Sequence, residues 1–488
     1  MKTPLTLLLC LIAGLLGAQP GIQVSGTSQI TGSVRLIATP GVINTNVAPS
    51  ALQWVKTSFP QYQARVNGVK NDSAGNLIVV GQFINFVDFG SGQITSFGGL
   101  DAFLVKYSPS GVLIWAKGMG GTATDNGTGV TVDSSDNIIM VGNFQGSANI
   151  SGTTLTATGG SLDTDVFLAK YSSAGTLSWA KGYGSSATDN GNAIAVDSSG
   201  NVFAASRSGG LVNFGNGVTA TGHGSFDLTI GKFGAAAGVT AWGKMYGGSA
   251  ADNSNGIAVD TDGNVVITGQ VSLAADVDFG NGPTTTNGIC VAKYLGSNGS
   301  YLWHGVFGGG SGSTGNSITC DPVTKNVLIT GAFNGTANFG GGSVSSAVTG
   351  IFLAGYNTSG TYIWDKVYKG NDGFSAATAF AVDMDDSGNI GLAGQVFGVI
   401  GFDGNILHGN PSACFFVAVF TSSGASAPVY KWGKDGSIGG ESHGQSVDFD
   451  AFGNVAVGGY FYGTVNFGGT VISAGSGVYN TFSAKYAK

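Results

Sequence analysis

The chain has 488 residues, 86 of them glycine, with 42% hydrophobic and only 10% charged residues and a net charge of −7. Glycine at that level without a three-residue period excludes collagen, and the apolar content excludes a wholly disordered chain. No basic stripe is present to neutralise phosphates, which argues against nucleic acid as a partner.

In chain order, residues 1–18 read as a secretory signal: Lys2 is the positive start, Leu5–Leu16 the apolar run, and Gly17-Ala18 a small-residue cleavage site. A twelve-residue apolar run is short for a bilayer, and Cys10 follows three leucines, unlike a lipid-attachment cysteine. The expectation is a chain with no transmembrane segment that is secreted, extracellular or on the cell surface, with the periplasm as the alternative. Residues 19–50 match nothing that follows and read as a leader. Residues 51–488 are repetitive. Asp-x-x-x-Asn recurs from Asp72, Asp133, Asp197, Asp260, Asp321, Asp385 and Asp450, the fifth copy carrying one extra residue. Tryptophan recurs at Trp54, Trp115, Trp179, Trp242, Trp303, Trp364 and Trp432, and both series step by 61 to 68 residues. A Phe-Gly signal at Phe89, Phe214, Phe279, Phe339 and Phe467 has Ile150 and Phe402 in the two remaining units.

Each unit divides into four strand-like runs. In the third unit these are Gly191–Asp197, Asn201–Ser206, Phe226–Phe233 and Val239–Gly247, with about twenty Gly/Thr/Asn-rich residues between the second and third. No useful 3.6-residue period occurs. Seven such units predict an all-β fold, a seven-bladed β-propeller of four-stranded blades. The last unit ends on its third strand, Asn480–Lys488, while Ala51–Phe59 supplies a tryptophan strand with no third strand before it. The first predicted strand (51–59) should therefore complete the last blade and close the ring.

These motifs resemble the bacterial β-propeller repeat known as the SBBP repeat. The stretch Asp165–Phe203, DVFLAKYSSAGTLSWAKGYGSSATDNGNAIAVDSSGNVF, carries its pattern most fully, and the resemblance covers residues 51–488. Units five and six depart from it, with Gly355 and Val419 where the repeat lysine stands. The resemblance implies an exported or cell-surface propeller and brings no catalytic residues with it.

Candidate ligand-binding residues are the Asp-Asn pairs Asp125-Asn126, Asp189-Asn190 and Asp252-Asn253, with Ser442-His443 at the matching place in the last unit. Together they could hold a sugar or a cation; the competing reading is that each aspartate caps its own turn. A second set breaks the column of small residues on the inner strands: Lys70, Asp383 and Asp448. Ring closure would set Lys70 against Asp448 at the channel wall, with Asp383 beside them. The run Asp383–Gly388 opens like a calcium loop, but Gly394 stands where the twelfth-position acid belongs. No metal or other cofactor is called for, calcium there being the minority alternative. The four histidines lack zinc spacing and no nucleophile elbow occurs. Cys290, Cys320 and Cys414 follow the signal, with a Cys290–Cys320 bridge as the one pairing considered. The leading expectation is a non-enzymatic scaffold that binds a protein or carbohydrate at the loop-rich rim. The alternatives are a polysaccharide lyase or glycosidase and a purely structural surface protein.

Overall fold

A computed structural model describes residues 50–488 except 59, 61, 273–275, 371, 410–411, 423–425, 437–438 and 476. The readings for residues 1–18 and for nearly all of 19–50 lie outside the described residues. Seven four-stranded antiparallel sheets follow one another along the chain, and no helix occurs among the described residues. In blade three the strands run from the axis outward as Asn190–Val196, Val202–Ser208, Asp227–Phe233 and Thr240–Tyr246. Each inner strand packs on the inner strand of the next blade, and that of blade seven packs on that of blade one. The protein is a seven-bladed β-propeller.

The ring closes with strands from both ends of the described chain. Leu52–Thr57 lies antiparallel to Asn480–Tyr486, with Trp54 opposite Lys485 and Lys56 opposite Ser483. Backbone bonds extend the seam, Ser50 donating to Ala487 (3.1 Å) and Ala487 to Ala51 (2.8 Å). The Trp54 indole then reaches out of blade seven to the Pro109 carbonyl of blade one (2.9 Å).

The repeat motifs are the fasteners of this architecture. In the turn between the first two strands, Asp72 accepts from the backbone of Ala74 and Asn76 and from the Asn76 side chain at 2.8–3.1 Å. Gly75 adopts φ 77° there, a conformation that glycine enters without strain. The repeat lysine points back at the same carboxylate. Lys106 pairs with Asp72 (2.9 Å), Lys170 with Asp133 (2.8 Å), Lys293 with Asp260 (2.8 Å) and Lys485 with Asp450 (2.7 Å), all of them buried. All four of these lysines also donate to the next blade, Lys485 to the Gly75 carbonyl of blade one and the others to three further carbonyls: Lys106 to Ser173, Lys170 to Ala235 and Lys293 to Thr358. The tryptophans Trp115, Trp179 and Trp303 donate to those same three carbonyls. Burial alone would raise the Asp72 pKa, but the hydrogen bonds from Asn76 and Lys106 outweigh it and hold the carboxylate below its usual range. In blade five Gly355 replaces the lysine and the Trp364 ring fills the gap, 2.8 Å from where a Cβ on Gly355 would stand.

Where described, the Gly/Thr/Asn-rich stretches carry β structure of their own. They form short hairpins, such as Leu211–Gly215 with Val218–Thr221, or extend the second and third strands, as in Leu77–Asp88 and Gln93–Tyr107. The hairpin of blade two pairs with the outer strand of blade one, Asn149 opposite Gly120 and Ala148 opposite Gly121. Bridges Gly184–Asn213, Gly247–Asp278 and Gly308–Ala337 repeat the latch at the next three junctions. The Phe-Gly residues are its plugs: Phe214, Phe279, Phe402 and Phe467 are fully buried, and Phe214 stacks on Tyr183 of the blade before it (5.3 Å). Paired runs of two to five residues are too short for an alternation to show in sequence.

Cys290 and Cys320 are not bridged, and burial pushes both thiols up.

Candidate functional site

The inner strands surround a central cavity of about 320 Å³. Every inner strand carries a one-residue bulge, and the bulged residues line the cavity: Asn67, Thr128, Asn192, Asn255, Asn316, Phe380 and Gln445. The first five donate to a main-chain carbonyl of the next blade. Asn67 bonds Gly127 (2.8 Å), Thr128 bonds Gly191 (2.6 Å), Asn192 bonds Ser254 (2.7 Å), Asn255 bonds Gly315 (2.9 Å) and Asn316 bonds Ala379 (2.8 Å). Phe380 has no donor, and Gln445 makes no such bond among the described residues. The belt is therefore interrupted at blades six and seven.

At the rim where the inner strands begin, the Asp-Asn pairs split. Strand alternation turns successive side chains to opposite faces, so Asp125, Asp189 and Asp252 are completely buried while Asn126, Asn190 and Asn253 stay half-buried. Gly121, Ser185 and Gly248 donate their backbone N–H to these carboxylates at 2.7, 2.6 and 2.8 Å. The three aspartates thus staple the loops entering their own strands, and their carboxylates are closed to a ligand. The amides remain: Asn190 accepts from Asn143 (3.4 Å), and Asn253 accepts from Asn192 (3.3 Å) and donates to Asn255 (2.8 Å).

Each stapling aspartate faces a second one, from the third strand of the preceding blade. Oδ1 of Asp101, Asp165 and Asp227 lies 2.2, 2.3 and 2.0 Å from where a Cβ on Gly120, Gly184 and Gly247 would stand. Oδ2 of Asp125, Asp189 and Asp252 lies 2.8 Å from the same three points, so only glycine fits between the carboxyls. The pair is all or nothing along the chain. In the four other blades the third-strand position holds Gly288, Gly350, Cys414 and Asn480, and the partner position holds Ser313, Ala377, Ser442 and Ala64. The Oδ1 atoms of Asp101, Asp165 and Asp227 are buried without a hydrogen-bond partner among the described residues. Burial first, with the neighbouring acid adding to it, pushes Asp101 up to about 7 and Asp165 up to about 7; burial raises Asp227 as well. Asp125, Asp189 and Asp252 rise to about 6, again through burial first. Asp163 adds repulsion at the second pair and Asp276 at the third, where His223 opposes it.

A folded-state pKa above the unfolded value gives stability that is complete below about 4 and lost as pH rises towards 7. Asp72, Asp133 and Asp260 are shifted downward and act with the opposite sign, losing their contribution as pH falls below about 4. The melting temperature should accordingly fall between pH 5 and 7.5. Asp101→Asn, whose amide can both accept from Phe97 and donate to Asp125, should flatten that slope and stabilise the protein at pH 7.5. Calorimetry across the range checks this; a wild-type melting temperature that rises from pH 5 to 7.5 would contradict it.

Farther along the channel wall, Lys70, Asp448 and Asp383 come together. Lys70 bonds the Asp448 carboxylate and lies 3.9 Å from Asp383. Asp448 also accepts from the Asn71 backbone (2.7 Å) and side chain (2.8 Å), and Asp383 from the Phe449 backbone (3.0 Å). Burial would lower the Lys70 pKa, but the two acids outweigh it and hold it above its usual value. Within the run Asp383–Gly388, Asp385 instead accepts from Ser387 and Asn389 at its own turn, so the two carboxylates are engaged separately. No group of three or more His, Cys, Asp or Glu side chains placed to share a metal occurs among the described residues.

His443 lies in a cluster of aromatic and charged side chains on the rim where blade seven meets blade one. Its Nε2 lies 2.8 Å from Glu441 Oε1, and the Tyr479 hydroxyl donates to Glu441 Oε2 (3.1 Å). The imidazole stacks on Tyr460 (4.6 Å), and the Arg65 guanidinium lies over both Tyr460 (4.6 Å) and Tyr479 (4.9 Å). Tyr462, 40% exposed, packs against Tyr479 (5.6 Å) and forms the outer edge. Burial first, with the Arg65 charge adding to it, lowers the His443 pKa against the pull of Glu441. Sequence reading singled out His443 but not Arg65, Glu441 or Tyr479. The usable signal was the column Arg65, Asn126, Asn190, Asn253, Thr314, Thr378, His443, whose two odd members become neighbours on closure.

No family model matches the sequence and no curated relative matches it. Among solved structures, the chain resembles one from a mitotic checkpoint complex (10% identity, 92% of this chain and 98% of that one, TM-score 0.46). BamB from Moraxella catarrhalis aligns at 11% identity over 83% and 96% of the two chains (TM-score 0.36). The polysaccharide lyase Uly1 aligns at 10% identity over 86% and 89% (TM-score 0.44). At these identities and scores the similarity has no bearing on what the chain binds, and the protein is placed by its architecture, a seven-bladed β-propeller closed by strands from both ends.

Proposed function

We propose that this protein is an exported, non-enzymatic propeller of the SBBP-repeat type that holds a carbohydrate at the corner between blades seven and one. One observation supports the reading above others. Tyr460, Tyr462, Tyr479, Arg65, Glu441 and His443 converge on a single corner, and the other blades place amides and hydroxyls in the column of Arg65 and His443. Tyrosine offers an apolar face for a sugar ring and a hydroxyl for its edge, and a few convergent polar groups fix orientation. For a glycosidase, two carboxylates would have to flank one bond. This corner offers Glu441 alone, and the paired aspartates of blades one to four are closed to solvent.

A glycan array probed with the mature chain tests the reading. Binding that Tyr462→Ala weakens at least tenfold, with no cleavage product by mass spectrometry, is the expected result. Product release would establish the enzymatic alternative, and no binding to any glycan would overturn the carbohydrate reading.

A further inference from the structure

We infer that the sugar held at this corner is acidic, and that its carboxylate or sulfate docks on the guanidinium of Arg65. The inference rests on the carbohydrate reading above and adds the charge of the ligand.

Arg65 is a half-buried cation with no direct ion-pair partner among the described residues. No carboxylate of the described residues lies within ion-pair distance of it, and its buried Nε has no hydrogen-bond partner. The acid of the cluster, Glu441, has both oxygens committed, one to His443 and one to Tyr479. Eight of the sixteen described lysines are by contrast paired with aspartates: Lys70, Lys106, Lys170, Lys232, Lys293, Lys325, Lys366 and Lys485. In a chain of net charge −7, acids to pair with are not scarce. An arginine left unpaired there has lost part of its hydration without the compensation an anion gives.

Its posture also suits a receptor. Two tyrosine faces, 4.6 and 4.9 Å away, hold the guanidinium from the side. Side-chain entropy is thus already spent, and the planar fork matches the two oxygens of a carboxylate or sulfate. Cation–π contact satisfies the faces of the guanidinium and leaves its N–H edges unsatisfied. The adjoining Tyr462 supplies the stacking surface for the ring that bears the acid, so charge and sugar face are read side by side.

The test compares two acidic probes with neutral counterparts by calorimetry: tetragalacturonate with its methyl ester, and a sulfated galactan tetrasaccharide with its desulfated form. At least one acidic probe should bind tenfold or more tightly than its counterpart, and its affinity should fall with added salt. Which of the two does so identifies the acid. Arg65→Gln should abolish the preference, so that the variant binds each acidic probe no more tightly than its neutral counterpart. Arg207→Gln, which removes a second stacked arginine that lies over Phe226 in blade three, should leave the preference intact. A melting curve on each variant separates loss of the receptor from loss of the fold, and Arg65→Lys, which keeps charge without the fork, should fall between. Equal binding of acidic and neutral probes, abolished by Tyr462→Ala, would overturn this inference and leave the carbohydrate reading standing. No binding of any probe would overturn both.

Discussion

Deleting residues 51–59 should abolish the cooperative melt of the whole propeller, whereas deleting residues 19–45 should leave the melt unchanged. The first deletion strips the outer strand from blade seven and exposes the edge of Asn480–Tyr486, whose Phe482, Ala484 and Tyr486 belong to that blade's core. It also removes the Trp54 bond to Pro109, one of the ties between blade seven and blade one. Trp54 is only half-buried, so Trp54→Ala alone should cost about 2–3 kcal/mol, below the 3–5 of a fully buried tryptophan. Losing the whole strand adds an unpaired edge and an open ring, a cost comparable with the total stability of about 5–15 kcal/mol of an ordinary domain. Circular dichroism and calorimetry on the two deletions decide it. If both variants melt alike, the strand is not what holds the ring closed.

A single buried lysine should weigh nearly as much. Lys293 is 2% exposed, pairs with Asp260 at 2.8 Å and donates to Thr358 of the next blade at 3.3 Å. Lys293→Met keeps the bulk but leaves Asp260 buried without its cation, a change that typically costs about 3–5 kcal/mol. The backbone donors of Asp262 and Asn264 still hold the carboxylate, which sets the expectation at about 3 kcal/mol. Removing both charges with Asp260→Asn and Lys293→Met should cost less than removing the lysine alone, because no charge is then stranded. Urea denaturation of the single and double variants measures the difference. A double variant less stable than Lys293→Met would show that the clamp acts through packing.

Much of this architecture was legible in sequence because the repeat displays each position seven times. Trp54 stood out as a tryptophan lacking its partner strand, and that oddity located the closure. Lys70, Asp383 and Asp448 were exceptions in a column of small residues, and aligning the column brought them together. Adjacent letters misled where the chain alternates faces: Asp125 and Asn126 read as one motif, but the strand buries the first completely and leaves the second half-buried. The corner at Arg65 was harder to see, since its members come from three strands and from residues as far apart as Arg65 and Tyr479. Neither composition nor period reports such a meeting; only the closed ring does.

Most side-chain fasteners in this ring reach forward. Where present, the repeat lysines, five of the tryptophans and the bulge residues of blades one to five bond to the blade that follows, while the Phe-Gly hairpins latch back on the one before. A blade copied in place would therefore arrive with its own donors and find its acceptors already set out in the neighbour. The molecule carries, in the direction of its hydrogen bonds, the means by which one ancestral unit could be multiplied into seven. The two units that lack the bulge bond, at Phe380 and Gln445, adjoin the corner where the rim column holds Arg65 and His443.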